Sequence, residues 1–408
     1  MNPSTTTPHA RTDFEVISLV GLAHGTSHFF HLLLPPLFPW LMSEFALSFT
    51  QAGALMTVFF TISGLGQAAS GFVVDRLGAQ RVLWAGIALF ALSGVVLGLA
   101  NSYAMLMLAA GLAGLGNCVF HPADFTILNR HVSPARLGHA FSVHGLSGNL
   151  GWAAAPVFLT TIASATNWRV AAFAASGVAL AALALLIVRR GAIADLDAAH
   201  AARPKSVEAG GSTFAFLHSG AVWLCFAFFI VSTAAFGAIQ NYSPSVLNQL
   251  YGLSLAVGAS ALTGYLLGGA VGIVVGGFLA AKKQAHERII ALVLASAAGL
   301  SLLLASGVLP SWSVITFMAL IGFSAGIAGP SRDLLVRKAA TSRFGPTSYG
   351  RVYGFVYSGL DIGLAVAPLI FGPLMDASLF GTVLVGVALL QGLAALTALR
   401  VRRNVPTY

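Results

Sequence analysis

Twelve apolar stretches, each long enough to cross a bilayer, leave this chain very few ways to fold. A spanning helix needs about 20 predominantly apolar residues. Such stretches occur at roughly 14–41, 49–74, 82–100, 103–128, 138–164, 168–188, 218–247, 254–280, 289–308, 312–336, 350–375 and 378–399. Lipid offers no hydrogen bonds to the backbone, so each stretch must satisfy its own polar groups, which an α-helix does. The expected fold class is an all-α membrane protein with twelve transmembrane helices. Only 8% of the 408 residues are charged, against about a quarter in soluble domains. That excludes a soluble enzyme or binding module.

The formal net charge of +9 is arranged by segment end. Of the 21 Lys and Arg, all but Arg169 and Arg332 fall at ends assigned to one side. The clusters are Arg76/Arg81, Arg130/Arg136, Arg189 to Lys205, Lys282/Lys283/Arg288, Arg337 to Arg351 and Arg400/Arg402/Arg403. This is the positive-inside pattern. It predicts a multi-pass plasma (inner) membrane protein with both termini cytoplasmic, and residues 1–13 as a polar tail without a cleavable signal. No long basic run carries interleaved aromatics, so no nucleic-acid partner is expected. The two cysteines, Cys118 and Cys225, lie within apolar segments and predict no disulfide. One long loop, Ala/Gly-rich and charged, divides the chain. The expected organisation is a six-helix N-terminal half (1–188), a cytoplasmic linker (189–217, with a short surface helix at 192–202) and a six-helix C-terminal half (218–408).

The halves share a pattern. Gly138 to Pro156 and Gly350 to Pro368 align without gaps at a constant offset of 212 residues. Gly138, Gly151, Ala153, Ala155 and Pro156 recur as Gly350, Gly363, Ala365, Ala367 and Pro368, and Asn149 falls on Asp361. This reads as a duplicated half. Clusters such as Gly264/Gly268/Gly269/Gly272/Gly276/Gly277 have the small-residue spacing of closely packed membrane helices.

Between segments two and three stands Gly71-Phe-Val-Val-Asp75-Arg76-Leu-Gly78-Ala-Gln-Arg81. It is similar to the loop signature G-x-x-x-D-R-x-G-x-x-R of the major facilitator superfamily. Gly277-Phe-Leu-Ala-Ala-Lys282-Lys283 resembles a degenerate second copy without the Asp. Gly21 to Pro39, with its PPLFP run, and Gly116 with Phe120-His121-Pro122 resemble the fosmidomycin-resistance-like branch. Two positions depart from the drug/proton antiporter pattern: Ala110 where an Arg is common, and Ala155-Pro156 where Gly-Pro is common. The resemblance implies two pseudo-symmetric six-helix halves around a central cavity, working by alternating access. It also implies efflux of a small polar or anionic compound by proton antiport. The loop residues Gly71, Asp75, Arg76, Gly78 and Arg81 are then the cytoplasmic gate. Physically, Asp75 can oppose a helix N-terminus, and Arg76 and Arg81 can pair with it or with lipid phosphate.

Intramembrane ionisable residues are costly and point to function. Here they are His24, His28, His31, His121, Asp124, His144, Arg332, Asp333 and Asp361. His24, His28 and His31 are spaced i, i+4, i+7 and share one helix face; Asn117, His121 and Asp124 share another. Histidine titrates near neutral pH, so Asp124, His121, His24 and His144 are the proton-coupling candidates. Transition-metal binding by His24/His28 with His121 or Asp124, and purely structural hydrogen bonding, are the competing readings; no metal site or cofactor is assigned. Arg332 keeps its proton and needs an anion. It heads a substrate-binding set of Arg332, His28, Asn149, Asp361, Gln240, Asn241 and Tyr357.

No G-x-x-x-x-G-K-[ST] motif occurs, so nucleotide-driven transport is not expected. The expected function is proton-coupled efflux by a monomer whose partners are protons, a small substrate and the bilayer. The alternatives are proton-coupled uptake of an organic anion, and a non-transporting membrane binding protein. No nucleophile–base pair at motif spacing suggests an enzyme.

Overall fold

The computed structural model describes residues 8–194, 215–282, 285–344 and 349–404, and among them there is no strand. Fourteen α-helices build the expected twelve segments. They are α1 (Pro8–His31), α2 (Phe38–Phe45), α3 (Phe49–Leu77), α4 (Ala79–Gly98), α5 (Tyr103–Asn117), α6 (Phe120–His131) and α7 (Leu137–Ala165), followed by α8 (Trp168–Val188), α9 (Gly220–Tyr251), α10 (Leu255–Lys282), α11 (His286–Ala305), α12 (Val314–Phe344), α13 (Tyr349–Asp376) and α14 (Phe380–Asn404).

Two segments are broken in two, and proline accounts for both breaks. Pro35 and Pro36 sit in a 3-10 turn between α1 and α2, where a missing N–H forbids helix continuation. Pro122 cannot donate to the carbonyl of Cys118, and the chain breaks at Cys118–Val119 between α5 and α6. The buried Ser70 hydroxyl donates to that carbonyl instead, at 2.9 Å. Eleven stretches among the described residues are long and apolar enough to cross a membrane, α1 with α2 and α5 with α6 each counting as one. The remaining long helix, α7, has 29 residues; it carries His139, His144 and Asn149, which dilute its apolarity. Of the expected linker, residues 195–214 lie outside the described residues, and with them most of the surface helix expected at 192–202; a 3-10 turn at Arg190–Ile193 precedes them.

The described residues separate into two compact units, one within Met1–Leu37 and Ile62–Lys205, the other within Phe38–Thr61 and Ser206–Tyr408. In the first unit α1 packs on α7, and α4 packs on α5 and α8. A Cβ added at Gly151 of α7 would collide with the backbone carbonyl oxygen of Gly25 on α1. Only glycine permits that approach. Arg169, one of the two cations off the charge pattern, lies over the Trp168 ring at 4.2 Å. It donates to the Ala100 carbonyl at 2.6 Å, satisfying an orphan acceptor just beyond the end of α4.

In the second unit α10 packs on α12, and α9 packs on α13 and α14. The α10–α12 seam is a two-sided glycine contact. Side chains at Gly268 and Gly272 would strike the carbonyls of Ala319 and Phe323, and one at Gly326 would strike that of Gly269. Gly363 of α13 is held as tightly against the Ile230 carbonyl of α9.

Asp376, the last residue of α13, closes the start of α3. Its carboxylate accepts from the backbone N–H of Phe49 at 2.5 Å and of Thr50 at 3.1 Å, and from the Thr50 hydroxyl at 2.5 Å. Those N–H groups are orphans of a helix N-terminus, where negative charge is favourable. Asp376→Ala is expected to cost about 1 kcal/mol, the usual effect of losing such a cap. Thermal unfolding in detergent should then fall by about 1 °C; an unchanged midpoint would show that the carboxylate does not hold α3.

Candidate functional site

The three α1 histidines face into the first unit, where α6 and α7 meet them. His24 is 3% exposed, Asp124 0% and His144 5%. His144 Nε2 donates to Asp124 Oδ2 at 3.1 Å. His24 Nδ1 approaches the same oxygen from α1 at 3.2 Å, but off hydrogen-bonding alignment, and neither that nitrogen nor Asp124 Oδ1 has a hydrogen-bond partner among the described residues. The His24 and His144 rings stack at 3.5 Å between centroids and 22° between planes. One carboxylate oxygen thus lies between two imidazoles from two other helices. A buried charge needs such partners.

From this centre a line of rings runs along α1. His28 lies 4.4 Å from His24 and 4.8 Å from His31, ring to ring, with Trp152 of α7 against it at 4.1 Å. Gly148 makes room: a Cβ there would stand 2.6 Å from His28 Nδ1 and 3.1 Å from His24 Nε2. The line ends in a polar chain. His31 Nε2 donates to Asn117 Oδ1 at 2.8 Å, and Asn117 Nδ2 donates to Ser63 Oγ at 2.8 Å. His121 branches off, donating from Nδ1 to Gln67 Oε1 at 2.9 Å, with its ring 5.4 Å from that of His24. Asp124 therefore meets His144 and His24, whereas His121 turns to α3.

Ser63, Gln67 and Trp152 are absent from the sequence-derived set. Ser63 and Gln67 are spaced i, i+4 on segment two, and Asn117 and His121 are spaced i, i+4 on segment four. Two matching polar pairs on apolar helices are a signal that these helices face one another.

The remaining candidates divide by place. Asn149 is half-buried and donates back to the Gly145 carbonyl of its own helix at 3.0 Å. In the second unit Arg332 Nε donates to Asp333 Oδ1 at 2.9 Å, and the Tyr357 hydroxyl donates to the same oxygen at 2.9 Å. The Arg332 guanidinium lies over the Phe229 ring at 4.7 Å. Guanidinium, carboxylate and phenol form one half-buried group with an aromatic floor. Asp361 is half-buried on α13, while Gln240 and Asn241 are buried on α9; Gln240 Nε2 has no hydrogen-bond partner among the described residues.

Asp75, Arg76 and Arg81 are exposed at the junction of α3 and α4. Gly71 has open space around it. Gly78 adopts φ +89° ahead of α4, a conformation that favours glycine there.

Chemically, the α1–α6–α7 centre can hold a proton between a carboxylate and two imidazoles. Its donor atoms, His24 Nδ1, Asp124 Oδ2 and His144 Nε2, lie within 4.8 Å of one another, a grouping that can also hold a metal ion.

Long apolar helices enclosing a buried carboxylate–imidazole centre define a polytopic membrane protein with an ionisable core. The model of the Major Facilitator Superfamily matches residues 20–368, and the chain belongs to that superfamily. It is 28% identical over 375 residues to the fosmidomycin resistance protein of Escherichia coli, covering 90% of this chain and 89% of that one. It is 26% identical over 356 residues to the "Probable nitrate/nitrite transporter NarK2" of Mycobacterium tuberculosis, covering 84% and 85%. The crystal structure of a bacterial homologue of the human lysosomal transporter Spinster superposes with a TM-score of 0.78 at 13% identity, covering 99% of this chain and 98% of that one. At that identity the likeness concerns the fold.

Proposed function

We propose that this transporter exports a small polar or anionic compound in exchange for protons, by alternating access. Asp124 carries the reading: a carboxylate with no exposure, inside a membrane protein, with two imidazoles at 3.1 and 3.2 Å. In this reading Asp124 is the proton carrier, His144 and His24 share its charge, and His121 extends the relay toward α3. Arg332, with Asp333 and Tyr357 beside it, recognises the anionic group of the substrate. His28 and Asn149 in the first unit, and Asp361, Gln240 and Asn241 in the second, are the further substrate-contact candidates. Gly71, Asp75, Arg76, Gly78 and Arg81 make the inner gate. The protein works as a monomer in the inner membrane, with both termini cytoplasmic and without a cofactor. The relative named for fosmidomycin resistance supports export of a phosphonate-like anion. The relative named as a nitrate/nitrite transporter favours the second reading, proton-coupled uptake of an anion.

The deciding experiment uses purified protein in liposomes with a trapped pH dye and a panel of phosphonates, carboxylates and nitrate. Protons moving against the substrate establish exchange; protons moving with it establish uptake. No proton movement with any anion removes the coupling assignment.

Arg332→Gln is expected to weaken binding of an anionic substrate by about 10- to 100-fold. A hydrogen bond to a charged group contributes roughly 1.5–3 kcal/mol, and each 1.4 kcal/mol is about tenfold. Scintillation proximity or tryptophan quenching reads the affinity, and an unchanged value takes Arg332 out of the substrate site.

A further inference from the structure

We infer that His24, Asp124 and His144 also form a binding site for a first-row divalent metal cation of the Zn2+ or Co2+ type, which excludes the proton from the same donors. Three helices each supply one donor: α1 gives Nδ1, α6 gives Oδ2 and α7 gives Nε2. Two of the three separations are 3.1 and 3.2 Å, and all are within 4.8 Å. Metal–ligand distances of about 2.0–2.2 Å in a tetrahedral shell place neighbouring donors roughly 3.3–3.5 Å apart. The two imidazole–carboxylate pairs are close to that spacing. The third pair reaches it when the two rings, now 22° apart, splay around the ion. Two imidazoles and a carboxylate suit Zn2+, Co2+ or Ni2+ rather than Mg2+ or Ca2+, which prefer all-oxygen shells.

A second observation points the same way. Asp124 Oδ1 and His24 Nδ1 are buried without a hydrogen-bond partner among the described residues. Polar side chains that serve only to glue helices together are expected to be satisfied, because an unmade hydrogen bond in a buried site is costly. An ion bound by His24 Nδ1 and Asp124 Oδ2 gives that nitrogen the partner it lacks, and a water completing a four-coordinate shell can donate to Oδ1. It takes the place of the proton on His144 Nε2, and the neutral imidazole then carries its single proton on Nδ1. The site would therefore be filled by a proton or by a metal ion, never by both, and the metal would block proton exchange. Metal binding itself rests on neither the direction nor the coupling of transport.

The test uses tag-free, chelator-stripped protein in detergent, titrated with Co2+ and then with Zn2+. The expected result is the visible absorption of four-coordinate Co2+, saturating at a single ion per chain and bleached by Zn2+. Asp124→Asn and His24→Gln are expected to weaken binding at least tenfold, since even substitutions outside the ligand shell cost about 10- to 100-fold. His139→Ala, which removes an exposed imidazole on α7, leaves it unchanged. Absence of saturable absorption overturns the inference. So does an unchanged affinity in Asp124→Asn protein that elutes and melts like the parent. If His24→Gln fails to fold, the isosteric Asp124→Asn decides alone. Proton movement in liposomes is measured separately, so loss of either reading leaves the other standing.

Discussion

Asp124→Asn is expected to abolish substrate-driven proton movement and to spare exchange of substrate for substrate across the membrane. The asparagine occupies the same volume and its amide oxygen still accepts from His144 Nε2, so the junction of α1, α6 and α7 keeps its shape. What it loses is the ability to take up and release a proton. With the carboxylate ionised and both imidazoles neutral, the centre carries a single negative charge with no exposure to solvent. One added proton neutralises it. A centre that alternates between these two states makes reorientation depend on the proton, because moving an uncompensated charge through a low-dielectric interior is costly. In Asp124→Asn the centre is permanently neutral, and reorientation no longer requires the proton. Coupled proton flux should fall by at least about 100-fold, the scale on which a positioned proton-transfer group acts, while counterflow persists. Proton flux surviving in the variant would place the coupling elsewhere. Proton flux and counterflow failing together, in folded protein, would make Asp124 a substrate contact or a structural residue.

The contrast between what segment composition discloses and what tertiary contact decides is clear at particular residues. The apolar stretches are legible because length and composition alone decide whether a helix can span. Even α7, diluted by His139, His144 and Asn149, stands out through its flanking charges and its match to Gly350–Pro368. The i, i+4, i+7 spacing of His24, His28 and His31 likewise exposes a polar face. Pairing is not legible. His121 and Asp124 are one helical turn apart and look like partners, yet one meets α3 and the other meets α1 and α7. Only the placement of those helices sends them apart. Arg332 and Asp333 leave their helix about 100° apart, but the long arginine stem folds back until Nε reaches Oδ1. Side-chain reach overrides Cβ direction there. The break before α6 is foreshadowed by Pro122; the hydroxyl of Ser70 that answers it, 52 residues earlier, is not.

Gly151→Ala and Gly363→Ala are expected to destabilise the protein strongly, and the corresponding valines to prevent folding. At each position the new Cβ meets backbone: the Gly25 carbonyl at Gly151, and at Gly363 the Ile230 carbonyl together with the Thr233 hydroxyl. No rotamer relieves such a clash, so whole helices must move, α7 from α1 and α13 from α9. Overpacking in a closed interior costs about 1–3 kcal/mol, and the melting midpoint in detergent should drop by about 1–4 °C. Gly145, six residues before Gly151 on the same helix, has nothing within 4 Å of its added Cβ. Gly145→Ala is therefore expected to be neutral or stabilising, since alanine is the better helix former by up to about 1 kcal/mol. A Gly151→Ala protein melting with the parent would mean that α1 and α7 do not touch at this depth, and the His24–Asp124–His144 centre could not assemble as described. The repeat sharpens the point. Gly151 and Gly363 are equivalent in the two halves and do the same physical work, a backbone-to-backbone approach. Asn149 and Asp361, two residues earlier and equally aligned, do different things: one bonds back to its own helix, the other makes no hydrogen bond or ion pair among the described residues. The aligned frame keeps its packing glycines while the chemistry differs, with a carboxylate–imidazole centre in one unit and the arginine–aspartate–tyrosine group in the other.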